Sequence, residues 1–279
     1  MNNIIRKLAV VFDLSILPKS VCRNRALLWQ LIRRNVAMRY RGSMLGLLWS
    51  FVQPLLMLCV YTFVFSIVFK ARWGVNVEDS QGKFAIILFC GLALYSIFAE
   101  SVNGGCSVIT CNPNFVKKVI FPLEILPLAQ CISSFILGSV WFILLFAGTV
   151  LVFRTVSFTM LLLPLILIPL FLFSAGIAYF AASLGVYVKD TAYVIQVILQ
   201  VLFFMTPIFY PIEAVPEKYR WPLEINPLTV LIEQARKVFL YDSLPDWSFL
   251  GIATLSSLLV FHMGFIWFFK TKKGFSDVL

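Results

Sequence analysis

The sequence predicts an all-α polytopic membrane protein: six transmembrane helices, an N-terminal interface helix ahead of the first, and short external re-entrant helices ahead of the last. Three observations predict it. The 279 residues are 61% hydrophobic and 13% charged, with mean hydropathy +0.93, more apolar surface than a soluble fold of this length can bury. Six stretches reach the roughly 20 residues that a helix needs to cross the hydrocarbon core. With those spans placed and both ends cytoplasmic, 15 basic residues fall inside and 8 outside, the asymmetry of the positive-inside rule.

The elements follow in order. Residues 1–45 form a cytoplasmic N-terminus with no cleavable signal peptide, because its short apolar run is broken by Arg6 and Lys7. Over 23–41 a helical wheel gathers Arg23, Gln30, Arg33, Arg34 and Arg41 on one arc and Leu28, Trp29, Ile32, Val36 and Tyr40 on the other. Such a helix lies in the interface, its arginines at anionic headgroups. Arg25, Asn35 and Arg39 intrude on the apolar arc, which implies either a break or a face that meets protein as well as lipid. Residues 46–279 form the transmembrane domain, with spans at 46–69, 84–109, 125–153, 159–188, 192–211 and 248–269; Pro54 is expected to kink the first. Glu100 is the one acid well inside an apolar run. It reads either as an ion site or as a carboxylate that is protonated or paired with a basic residue of the interface helix, and the lack of an intramembrane partner favours the second.

Two polar segments interrupt the spans. Residues 112–124 carry Asn112, Pro113, Phe115, Lys117, Lys118, Phe121 and Glu124, and their prolines forbid one continuous helix in lipid, so a short helix on the cytoplasmic surface is expected. On charge alone this is either an ordinary positive-inside loop or a docking element for a soluble partner. Residues 212–246 are predicted to be external and partly re-entrant, with Asn226 as N-cap and Pro227 at the first helical position. Irregular backbone at that depth is tolerated only against protein or a water-filled path, so this segment is expected to line an exit.

A third pattern lies within the spans. Tyr193, Gln196, Gln200, Phe203 and Phe204 recur at helical spacing in the fifth, and Trp49, Gln53 and Tyr61 make a similar side of the first. Amides and aromatic rings gathered on one stripe make these residues candidates for a channel lining; the same residues also serve ordinary helix packing.

Much chemistry is missing from the sequence. There is no G-x-x-x-x-G-K-[ST] phosphate loop, no paired intramembrane carboxylates and no Ser/His/Asp set. His262 stands alone in an apolar run, and no Cys/His cluster has zinc spacing. None of the six cysteines falls in an expected external loop, so no disulfide framework is implied. The net charge of +10 marks orientation in the membrane and not nucleic-acid binding. Any ATP hydrolysis is therefore expected in another polypeptide.

Three stretches, Arg39-Tyr-Arg-Gly-Ser-Met-Leu-Gly with Leu48-Trp49 and Pro54, the run from Asn112 to Pro127, and Asn226-Pro-Leu-Thr with Glu233 and Arg236, resemble the ABC-2 type polysaccharide export permeases over nearly the whole chain. The similarity is greatest to the Wzm-type O-antigen permeases, and capsule and teichoic acid permeases share most of it. The resemblance implies a permease subunit that is not itself an enzyme and holds no cofactor. It further implies a homodimer with two Wzt-like ATPase subunits that bind ATP and Mg, exporting an undecaprenyl-diphosphate-linked polysaccharide across the bacterial inner membrane. It makes Asn112, Pro113, Phe115, Lys117, Lys118, Phe121 and Glu124 the ATPase-docking coupling helix. Trp29, Arg33, Arg34, Arg39 and Arg41 become an interface helix packed near that ATPase, and Asn226, Pro227, Glu233 and Arg236 an external gate. An ABC-2 exporter of a lipid or drug is the nearest rival. A secondary carrier or a membrane enzyme acting on lipid-linked sugars fits less well, since paired broken helices and grouped acids are lacking.

Overall fold

The computed structural model describes residues 16–39, 41–68, 81–117, 121–154 and 157–279, and every regular element among them is helical. Two short helices, α1 (Ile16–Arg23) and α2 (Arg25–Met38), precede α3 (Trp49–Thr62), which runs on through a π-helical turn, Phe63–Val68. Then come α4 (Gln81–Ser107), the single turn α5 (Pro113–Val116), α6 (Ile125–Phe153), α7 (Leu163–Tyr187) entered through a 3-10 turn at Phe158–Leu162, and α8 (Thr191–Met205). Two short helices, α9 (Trp221–Ile225) and α10 (Pro227–Leu240), lead to α11 (Trp247–Thr271) and a terminal turn α12 (Phe275–Val278).

Among the described residues, five helices are long and apolar enough to cross a membrane: Trp49–Val68, Gly82–Ser107, Ile125–Phe153, Phe158–Tyr187 and Trp247–Val278. The fifth expected span departs from its prediction. α8 has 15 residues, about 22 Å at 1.5 Å per residue, short of the roughly 30 Å hydrocarbon core. Proline at 207 is the cause. Its ring disfavours the helical region for the preceding residue, and Thr206 duly turns to φ −102°, ψ 137°. Residues 206–211 then continue irregularly, with Ile208 and Phe209 buried against protein, as non-helical backbone at this depth must be.

The hub is α4. From Phe84 to Phe98 it is buried on all sides, which its unbroken apolar sequence requires, and it packs against α6, α7, α8 and α10. One hydrophobic cluster surrounds its first half together with α7 and α10; a second joins α2, the start of α6 and the ends of α7 and α11. The α7–α11 contact depends on two glycines. A Cβ built on Gly264 would lie 2.0 Å from the carbonyl oxygen of Gly176, and one on Gly176 would lie 2.6 Å from the backbone of Phe261. Small residues let backbones approach where lipid offers no hydrophobic drive for helices to associate.

α10 is amphipathic, burying Leu228, Leu231, Ile232, Ala235, Val238 and Phe239 at helical spacing. Its start is as expected. The Asn226 side chain accepts a hydrogen bond from the Leu228 N–H at 3.1 Å, with Pro227 at the first helical position.

Candidate functional site

Between α3, α4 and α8 lies a cavity of about 380 Å³ whose polar wall is made by Gln53, Tyr61, Tyr95, Gln200, Arg39 and Glu100. α3 supplies Gln53 and Tyr61 about two turns apart, and α8 supplies Gln200 and Phe203 about one turn apart, so helical periodicity sets each pair on one side. The rings of Tyr61 and Phe203 meet at 5.9 Å. Tyr95 from α4 donates its hydroxyl to the Leu199 carbonyl, which fixes α8 against the hub. A neighbouring cavity of about 580 Å³ continues past Arg39 and Glu100 to Asn103, Gln130 and Gln196. The two share Arg39, Ala99, Glu100 and Leu199, making one polar groove with an ion pair at its waist.

That ion pair joins Arg39 Nη2 to Glu100 Oε2 at 3.4 Å. It resolves the two readings of Glu100: the carboxylate is paired with a basic residue from the end of the interface helix. It also explains why polar residues intrude on the apolar arc of α2, since Asn35 donates to Gln130 at 3.4 Å and thus faces protein as well.

Of the expected channel residues, Gln53, Tyr61, Gln200 and Phe203 come together in the first cavity and Gln196 lines the second. Trp49, Tyr193 and Phe204 line neither and stand on outward surfaces at 38%, 72% and 56% exposure. Ser50, Tyr95, Ser96 and Asn103 were missed, because hydroxyls and an amide within an apolar run carry no periodic signal of their own.

The interface helix turns part of its expected apolar arc, Leu28 and Ile32, to the protein. Leu28, Leu31 and Ile32 are buried, whereas Trp29 is 53% exposed with the Arg33 guanidinium 5.4 Å from its ring. Arg34 donates to Asn112 Oδ1 at 3.2 Å and lies 5.7 Å from the Phe115 ring, tying α2 to α5. Arg41 lies beyond the end of α2 and is exposed.

The segment expected to dock an ATPase, called the docking turn below, forms α5. Asn112 also donates to the Val108 carbonyl at 2.8 Å, Pro113 opens the turn, and Phe115 stacks on Phe121 at 4.4 Å. Both rings are half-buried against the second hydrophobic cluster, so the surface of this turn is offered by Asn114 and Lys117. Lys118 lies outside the described residues. Glu124 is corrected: it was expected on the docking surface, but it is 6% exposed. Its carboxylate accepts from Ser20 Oγ at 2.9 Å and from Lys272 Nζ at 3.0 Å, and its carbonyl accepts from the buried Tyr179 hydroxyl at 2.7 Å. Burial pushes the Glu124 carboxyl up, yet the Lys272 ammonium and the hydrogen bonds to it outweigh burial and hold it below the ordinary carboxylate range. One carboxylate thus joins α1, the docking segment and the end of α11.

In the segment 212–246, expected to be external, Arg236 is fully buried. Its guanidinium donates to Glu233 Oε1 at 2.6 Å, to the Ile208 carbonyl at 3.1 Å and to the Ile87 carbonyl at 3.4 Å. Asn226 donates to Thr206 Oγ1 at 3.1 Å. These contacts clamp α10 to the irregular stretch after α8 and to the start of α4. Asn226, Pro227, Glu233 and Arg236 therefore hold the rim of the bundle, and none of the four lines the polar groove.

A protein-family model described as ABC-2 type transporter matches residues 26–240. The chain belongs to that family. The ABC-2 match starts within α2 and ends with α10, so it spans the interface helix, the docking turn, both helices of the groove and the clamp. The chain is similar to "O-antigen export system permease protein RfbA" of Klebsiella pneumoniae, 26% identical over 258 residues, which is 91% of this chain and 95% of that protein. It is 27% identical to the protein of the same name from Myxococcus xanthus over 247 residues, 88% of this chain and 92% of that one. To "Polysialic acid transport protein KpsM" of Escherichia coli it is 23% identical over 239 residues, 84% of this chain and 89% of that protein. Multi-pass membrane character, fold and ABC-2 membership thus agree.

Proposed function

We propose that this chain is the membrane half of an ATP-driven exporter that moves a lipid-linked polysaccharide, of the O-antigen kind, across the bacterial inner membrane. Two copies assemble around a central path, and each binds one ATPase subunit that supplies ATP and Mg; the chain itself does no chemistry. The observation that carries this reading is the groove between α3 and α8, whose amides and aromatic rings match the hydroxyls and apolar faces of sugars. Support for a dimer comes from α3 itself. Only 6% of its apolar window is buried within one chain, and α8 buries just Thr191 and Leu199, so these two helices are left with unpartnered faces beside the groove. The relatives favour O-antigen over capsule, at 26–27% against 22–23% identity.

The basic clustering before the first span supports termini on the cytoplasmic side, with α5 then within reach of a soluble ATPase. The test is genetic and biochemical together. Cells lacking the chain are expected to lose surface polysaccharide and to accumulate the lipid-linked polymer inside, with both reversed by the wild-type chain. Unchanged surface polysaccharide in those cells would refute the proposal.

A further inference from the structure

Beside the second hydrophobic cluster, with which it shares Ile32 and Val36, a recess of about 460 Å³ opens between α2, the segment that follows it and α6. Its walls are apolar: Trp29, Ile32 and Val36 from α2 and Ile136 from α6. Two cations stand at it, Arg33 and Arg41, and no acidic residue lines it. Arg33 is held over the Trp29 ring, an arrangement that fixes the position of the guanidinium while leaving its edge donors to an anion. Neither arginine is in an ion pair among the described residues. At Gly46 the recess stays open, since a Cβ built there would meet nothing within 4 Å. Ile136 is 41% exposed on the flank of a membrane-spanning helix, so the apolar end of the recess faces the hydrocarbon and the charged end faces the headgroups.

We propose that this recess is a binding site for one anionic glycerophospholipid of the membrane. An acyl chain lies along Trp29, Ile32, Val36 and Ile136, and the phosphate takes the two arginines. The charges decide the occupant. Two unpaired guanidiniums beside an apolar slot select an anionic headgroup over a zwitterionic one, whose own ammonium would be repelled. Because α2 is tied to the docking turn through Arg34 and Asn112 and to the groove through Arg39 and Glu100, a lipid wedged behind α2 fixes the helix that links them. The inference rests on membrane embedding and stands whether or not the cargo is a polysaccharide.

The test uses purified full-length protein in nanodiscs and brominated phospholipids as quenchers of tryptophan fluorescence, with the Trp29 signal isolated as the difference between wild type and Trp29→Phe. At about fivefold per arginine near a membrane surface, brominated phosphatidylglycerol is expected to quench Trp29 at roughly 25-fold lower mole fraction than brominated phosphatidylcholine. Arg33→Gln/Arg41→Gln should abolish the preference, and Arg33→Lys/Arg41→Lys should retain most of it, which separates lost charge from lost folding. Equal quenching by the two lipids, or a preference that survives in the glutamine variant, overturns the proposal. Displacement of the brominated lipid by an equimolar polyprenyl diphosphate also overturns it, because the recess would then belong to the cargo.

Discussion

Replacing Glu124 with glutamine should loosen the end of the bundle where α1 meets α11 by an amount that can be worked out from its contacts. The carboxylate is 6% exposed and bridges Ser20 of α1 to Lys272 at the end of α11. Removing one member of a buried ion pair costs about 3–5 kcal/mol because the other charge is stranded. Lys272 keeps 22% of its side-chain surface, so water takes back part of that cost and about 2–3 kcal/mol is expected. The pH dependence follows from the depressed carboxyl. The stabilisation is complete above its ordinary value of 4.5 and is lost as pH falls below that through the folded-state value. Denaturant unfolding of the purified protein at pH 7 and at successively lower pH, for wild type, Glu124→Gln, Lys272→Met and the double variant, supplies the assay. Coupling between the two sites of at least about 1 kcal/mol at pH 7, shrinking at acid pH, is expected. Strict additivity at pH 7 would refute the argument and return Glu124 to the docking surface.

Three further outcomes are expected. Arg236→Met should destabilise the protein by about 3 kcal/mol, by leaving Glu233 and two buried carbonyls without their donor; a melting temperature within one degree of wild type would contradict the clamp. Gly264→Val should abolish the folded, monodisperse protein on size-exclusion chromatography, since its Cβ meets the Gly176 carbonyl at 2.0 Å, whereas Gly251→Ala, which meets nothing, should elute as wild type. Asn114→Asp/Lys117→Glu should reduce ATPase co-purification severalfold without lowering the thermal stability of the permease, because both side chains are exposed; Phe115→Asp, at a half-buried stacked ring, should lower both.

The spans were legible because charge-free runs of sufficient length have no other stable home than lipid. Ile125–Phe153 ends where Arg154 enters the left-handed region, and the expected boundary fell on the same residue. The fifth span was misjudged for the opposite reason: composition continues through 206–211, while the backbone stops at the residue before Pro207. Glu124 was misplaced because a charge in a loop reads as surface until its partner is known, and Lys272 is 148 residues away. The pairing of Glu100 with the interface helix was anticipated as a class, whereas Arg39 as the partner required the fold. For α2 the wheel separated arginines from apolar residues but not the protein-facing apolar side, Leu28, Leu31 and Ile32, from the outward-facing Trp29. One helix has more than two environments, and hydropathy distinguishes only two.

The path of the cargo is tested most directly by site-specific photocrosslinking in the transporter reconstituted with its ATPase and lipid-linked polysaccharide. A photoreactive residue is placed in turn at Gln53, Gln200 and Gln196, which line the groove, and at Tyr193, which stands outside it. During ATP turnover the three groove positions should yield glycan adducts with a ladder of lengths and position 193 should not. Adducts at position 193 with none at 53, 196 and 200 would contradict the account.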